Sequence, residues 1–233
     1  MTARALRVGL MMFVVGGLAA SLLLILWPAL YLKLTDGLAW RMGFKSVAQN
    51  RLEQTLTDVQ LHIDQMQSAP GVVWFGDSHL QHFPPTFHNS VVSNFAIGGE
   101  TAVNLAARIL RYSSLKQASA IVLLSGRNDM QQGLPMDAVV QAFTRMLAEL
   151  PANVPVSLIG VPPAREVANK VAQRRALNVQ LQRLCAARAG CRYVSPESLA
   201  SEDGQLQVQY DAGDGIHLGI EGYRVLTGLI HAR

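Results

Sequence analysis

Cysteine is scarce in this 233-residue chain: there are two, Cys185 and Cys191. That excludes a scaffold held by many disulfides. With no second Cys or His pair beside them, they do not complete a zinc site either. Lying close together in LCAARAGCRY, they either close one disulfide in an oxidising compartment or stay as two buried thiols. Charge is also sparse, at 15% of residues, and the net charge is +4. All of that excess lies in residues 1–45, which hold five Arg or Lys against one Asp, whereas residues 46–233 carry fifteen basic and fifteen acidic side chains. A globular part with no basic stripe excludes a nucleic-acid partner. There is no internal repeat, no low-complexity tract and no glycine spacing of the dinucleotide-binding type. No cluster of metal-ligating residues appears, so neither a metal nor an organic cofactor is expected.

What is present begins with a charge-free run from Val8 to Leu32. At about 1.5 Å per residue it reaches roughly 37 Å as a helix, enough to cross a hydrocarbon core of about 30 Å with some tilt. A cleaved signal peptide has a shorter apolar core and ends in small residues. This run ends in Trp27, Pro28, Leu30 and Tyr31, so it reads as a retained anchor, with a long signal peptide as the alternative. The basic residues on its two sides (Arg4 and Arg7; Lys33, Arg41 and Lys45) do not decide orientation by the positive-inside rule. A seven-residue tail is easily kept in the cytoplasm. The expectation is a single-pass protein of the inner (cytoplasmic) membrane, in contact with membrane lipid, with its C-terminal domain on the periplasmic side. The organisation is then a tail over 1–7, an anchor over 8–32, a linker and amphipathic helix over 33–69, and a single globular domain over 70–233.

Within 46–68, Val47, Leu52, Leu56, Val59, Leu61 and Met66 recur at helical spacing, which predicts an amphipathic helix packed on the domain. Near-continuous apolar runs follow at 71–75, 91–97, 120–124, 156–161 and 192–194, with helical patterns over 101–115, 136–150, 166–189 and 219–231. Buried strands alternating with helices predict an α/β fold, a three-layer α/β/α sandwich on about five parallel strands. In such sheets, sites form beyond the carboxyl ends of the strands.

The polar residues fall at those ends. The first strand runs into Gly76-Asp77-Ser78-His79, which can present a serine hydroxyl to the cleft. The second ends near Gly98-Gly99, where a backbone N–H can approach a substrate oxygen. The third ends in Gly126-Arg127-Asn128-Asp129, and the Asn128 amide can donate to a developing oxyanion. Near the C-terminus, Asp214 stands three residues before His217, close enough to hold one ring nitrogen and leave the other free as a base. Each piece alone has a plain structural reading as a turn or a cap.

Taken in order, Gly76-Asp77-Ser78, Gly99, Gly126-x-Asn128-Asp129 and Asp214-x-x-His217 resemble the four blocks of the SGNH/GDSL hydrolases, over about residues 70–231. The chain departs from that pattern at His79, where the family name has Leu. The resemblance implies a flavodoxin-like SGNH fold and a serine esterase. Ser78, His217 and Asp214 would be its triad, and Ser78, Gly99 and Asn128 its oxyanion donors. His79, Met130, Leu134, Val161, Pro162 and Ile216 are expected to line the substrate. The expected substrate is a carboxylic ester: an acyl lipid, a thioester or an acetylated glycan. The acyl group would go to water or, in a transferase, to a sugar hydroxyl. A domain that kept the fold without the activity is the remaining alternative.

Overall fold

The computed structural model describes residues 47–67, 71–85 and 91–232. The expected anchor and the linker up to residue 46 lie outside the described residues. Among those described, no helix is long and apolar enough to cross a membrane.

Five strands, β1 (Val72–Gly76), β2 (Val92–Asn94), β3 (Ala120–Leu124), β4 (Val156–Ile159) and β5 (Cys191–Val194), form one sheet in the order β2-β1-β3-β4-β5. Every pairing is parallel. The helices are α1 (Val47–Met66), α2 (Ser78–Gln81), α3 (Ala102–Arg108), α4 (Arg127–Gln131), α5 (Met136–Glu149), α6 (Ala168–Ala186) and α7 (Ile220–His231).

The strands read as unbroken apolar runs because both of their faces are covered. Successive side chains point to opposite faces. Val73, Phe75, Ile121, Leu123, Val156 and Leu158 therefore join one cluster, with Leu105 of α3, Phe143 and Met146 of α5, and Leu177 and Leu181 of α6. Trp74, Val122, Leu124 and Ile159 join the other, with Leu80 of α2 and Tyr223, Leu226 and Ile230 of α7. Fully burying one such side chain is worth about 1.5–3 kcal/mol, so a slip of one residue, which would exchange the faces of a strand, is strongly disfavoured.

Several expected elements are shorter than their apolar patterns. Past Asn94 the second strand loses its ladder, and only Phe95 N–H to Trp74 O and Ile97 N–H to Gly76 O, both 2.8 Å, keep the chain beside β1. The pattern over 101–115 breaks after Arg108 into two 3-10 turns, Ile109–Arg111 and Ser113–Lys116. The Cys185 and Cys191 sulfurs are joined in a disulfide that ties the end of α6 to the start of β5.

α1 departs further from expectation. It is a helix, but Leu52, Val59 and Met66 face solvent. Its polar residues Glu53, Gln60 and Asp64 bond to the domain. Hydrogen bonds at Gln60 and Asp64, with Leu61 packed against the core, set how this helix is rolled.

The strand order reverses direction at β1, since β2 lies on one side of it and β3 on the other. That reversal opens a crevice at the carboxyl ends of β1 and β3, where the βα turns after both strands come together.

Candidate active site

The turn after β1 is shaped by a close approach. A Cβ at Gly76 would stand 2.0 Å from the Leu124 carbonyl oxygen, so only glycine fits there. Asp77 follows as N-cap of α2, its side chain accepting the His79 N–H at 3.0 Å. Asp77 therefore satisfies the backbone of this turn, and Ser78 opens α2 half-exposed at the crevice.

The C-terminal loop brings its groups to the same place. His217 Nε2 lies 2.9 Å from Ser78 Oγ, and His217 Nδ1 lies 2.6 Å from Asp214 Oδ2. The carboxylate can only accept, so Nδ1 carries the proton and Nε2 is left to accept from the serine hydroxyl. Asp214 Oδ1 also accepts the Ile216 and His217 N–H groups at 2.9 and 2.8 Å. The hydrogen bond from the His217 ring, joined by these backbone bonds, holds the Asp214 carboxyl well below the usual carboxylate range.

The loop is itself held. Asp211 Oδ1 accepts from Gly213 and Gly215 N–H at 2.8 and 3.0 Å, while its Oδ2 pairs with Arg165 at 3.3 Å. The Arg165 N–H reaches the Gly215 carbonyl at 2.7 Å. Ala212 N–H and Gly219 N–H close the loop on His217 O and Tyr210 O. Arg165 lies in the segment after β4, and that segment is pinned by the buried Arg127 through Glu166 and the Pro162 carbonyl.

The remaining expected donors come from the turns after β2 and β3. Gly99 adopts φ +80, which favours glycine, and a Cβ there would meet nothing within 4 Å, so its surroundings are open. Among the described residues, neither the Ser78 N–H nor the Gly99 N–H has an acceptor. Asn128 Nδ2 donates to the Glu100 carbonyl at 2.9 Å, which uses one of its two hydrogens and fixes the amide. Glu100 is anchored in turn by Arg108 through Nε at 2.5 Å and through a second bond at 2.7 Å. Arg108 also bonds the Tyr112 hydroxyl at 2.7 Å and the Phe95 carbonyl at 2.8 Å. Asp129, wholly buried, accepts the Ala102 N–H at the start of α3 at 2.8 Å. Its burial raises the carboxyl from 3.8 to about 6.

The substrate-lining expectations are corrected at four positions. His79, Met130 and Val161 are 0%, 3% and 0% exposed, and Pro162 is buried too. Met130 and Val161 belong to the core under α5 and α6, and Pro162 gives its carbonyl to Arg127. Leu134 and Ile216 are partly exposed. His82, exposed at the end of α2, stands 5.2 Å ring to ring from His217. Its pKa is pushed down by partial burial and then by the His217 and His79 rings. His88, which follows in the same proline-containing loop, lies outside the described residues.

Sequence reasoning missed the supports: Asp211, Glu100 with Arg108, and Arg127 with Glu166. Their signal was a charged residue placed inside an otherwise apolar pattern, as Arg108 is within LAARIL. Among the described residues, no group of three or more His, Cys, Asp or Glu side chains is placed to hold a metal ion.

Comparison with known proteins agrees with this architecture. A protein from Streptococcus pneumonia named for platelet activating factor is 18% identical at a TM-score of 0.71, covering 87% of this chain and 97% of that one. A GDSL-like lipase from Bacteroides thetaiotaomicron is 20% identical at 0.67, covering 75% and 94%. A lipase/acylhydrolase from Enterococcus faecalis is 18% identical at 0.58, covering 69% and 93%. At these identities the likeness is one of fold. No curated protein matches the chain. The model of the GDSL-like lipase/acylhydrolase family matches residues 47–225, most of the chain, and the chain belongs to that family of ester hydrolases.

Proposed function

We propose that Ser78 is the nucleophile, His217 the base and Asp214 the orienting carboxylate of a serine esterase held at a membrane by residues 8–32. The line Asp214–His217–Ser78, with contacts of 2.6 and 2.9 Å, carries this reading. As Ser78 Oγ bonds to the ester carbonyl carbon, His217 Nε2 takes the hydroxyl proton. The carbonyl oxygen gathers negative charge between the Ser78 N–H, the Gly99 N–H and the free hydrogen of Asn128 Nδ2. The bond to the alkoxy oxygen breaks, and His217 returns its proton to the departing alcohol. Water then attacks the acyl-enzyme, giving a proton to His217, and the acid leaves as the proton returns to Ser78 Oγ. Asp214 stays ionised throughout, which suits a carboxyl held so far down.

The substrate is a carboxylic ester, with acyl lipids and thioesters as one class. One observation favours a second class, O-acetyl groups on envelope glycans, removed or passed to a sugar hydroxyl. Met130, Val161 and Pro162, three of the side chains expected to line the substrate, are packed into the interior, and Asp214 is 51% exposed. A site that lacks these apolar side chains in its wall suits a small acyl group.

A fluorophosphonate probe followed by mass mapping tests the nucleophile: label is expected on Ser78 and lost in Ser78→Ala, and label elsewhere would sink the assignment. Rates on p-nitrophenyl esters of rising chain length, beside an acetylated glycan, separate the substrate classes. Protease accessibility of the C-terminal domain in sealed spheroplasts tests the periplasmic placement.

A further inference from the structure

In the turn after β2, one backbone N–H is left over. Past Asn94 the chain meets β1 through its Phe95 and Ile97 N–H groups, which donate to Trp74 O and Gly76 O, both at 2.8 Å. The alternate N–H groups are taken by side chains. Ala96 N–H donates to Asn94 Oδ1 at 3.1 Å, and Gly98 N–H donates to Gln81 Oε1 at 2.6 Å. Glu100 N–H closes the turn on Ile97 O at 3.2 Å. From Phe95 to Glu100, only the Gly99 N–H has no acceptor among the described residues.

Gln81 comes from the helix that carries Ser78. Three residues apart, the two are neighbours on one face of α2. A Cβ at Gly98 would fall 2.5 Å from Gln81 Oε1 and 3.7 Å from Ser78 Cβ. Asn94 Nδ2 adds a second tie, donating to the Leu80 carbonyl at 2.8 Å. The turn is thereby strapped to α2 beside the serine. Its need for a strap follows from its make-up. Gly99 stands at φ +80 in the third position of Ile97–Glu100, as in a type II turn. Rotating the central peptide between Gly98 and Gly99 would swing the Gly99 N–H to the opposite side, and with no Cβ on either residue little resists that rotation. We infer that Gln81 is a positioning residue: its bond to Gly98 fixes the near corner of the turn and keeps the Gly99 N–H aimed at the oxyanion formed on Ser78. This rests on the proposed reaction, in which Gly99 is a donor.

The test is made in the full chain. Gln81→Met keeps the length of the side chain and removes the acceptor. On p-nitrophenyl acetate, kcat should fall about tenfold, less than for a donor lost outright, with KM within about twofold of wild type. Gln81 is exposed, so the melting temperature should move by no more than about 3 °C. Gln81→Glu restores an accepting oxygen. It should bring kcat back to within about threefold of wild type in about 0.5 M salt, which screens the added charge. Wild-type kcat in Gln81→Met would overturn the inference, and so would an equal loss in Gln81→Met and Gln81→Glu. A rise in KM at constant kcat would overturn it too, by making Gln81 a substrate contact. Fluorophosphonate labelling of the wild-type chain keeps the two readings apart. Label on Ser78 with unchanged kcat in Gln81→Met sinks this inference alone, whereas no label on Ser78 takes the proposed reaction and this inference down together.

Discussion

His79 Nε2 lies 3.2 Å from the carbonyl oxygen of Ile216, the residue before His217. On its other side, His79 Nδ1 is 3.3 Å from Asp77 Oδ1. The wholly buried imidazole thus spans from the turn that carries Ser78 to the loop that carries His217, and Tyr223 adds a bond from its hydroxyl to the His79 carbonyl at 2.9 Å. A leucine, the residue the family name places here, could fill the space but could not make the bridge.

His79→Leu is therefore expected to lower kcat about tenfold with KM little changed. The site would lose alignment between its two halves while its surface stays the same. Leaving Asp77 short of a partner should also cost about 1–3 kcal/mol of stability. Steady-state kinetics with a thermal melt checks both, and wild-type kcat with a lowered melting temperature would reduce His79 to a packing role.

Much of this was legible beforehand, for a physical reason. β3 spans Ala120–Leu124, as its apolar run does, because a strand buried on both faces leaves no room for polar residues. Ser78, Asn128, Asp214 and His217 were readable because each stands just past a strand or in the last loop, where no core packing calls for a polar residue. Met130 and Val161 were misread because apolar residues near a site look alike in sequence whether they face the cleft or the core. Which side of α1 faces the domain was not legible, because its apolar spacing is helical in either orientation, and the long-range bonds of Gln60 and Asp64, with Leu61 against the core, choose between them.

Asn128→Ala removes a side-chain donor and leaves the Glu100 carbonyl without that partner. A fall in kcat of about 10²–10³ is expected, with a much smaller change in KM. A fall in affinity at constant kcat would show instead that Asn128 binds the ground state.

The Asp129 carboxyl has its pKa raised by burial from 3.8 to about 6. Between these values the folded protein binds more protons than the unfolded chain, so this group makes stability fall as pH rises from about 4 to about 6. The full effect is on the order of 2–3 kcal/mol. Asp129→Asn keeps an acceptor for the Ala102 N–H but cannot titrate, so its denaturation midpoint should fall less across that window. Parallel slopes for both proteins in urea titrations at pH 4, 5, 6 and 7 would contradict this.

The disulfide between Cys185 and Cys191 sits at the start of β5, at the opposite end of the strands from Ser78. Closing so short a loop removes unfolded-state entropy worth about 2 kcal/mol. In a domain of this size that corresponds to a melting temperature about 4–8 °C lower once the bond is lost. Cys185→Ala/Cys191→Ala should show that drop while keeping kcat and KM at wild-type values, because the loop holding Asp214 and His217 is fixed by Asp211 and Arg165 rather than by β5. Melting curves and ester hydrolysis at a temperature well below the transition separate the two effects. A loss of activity there would mean that the edge of the sheet helps to position Asp214 and His217.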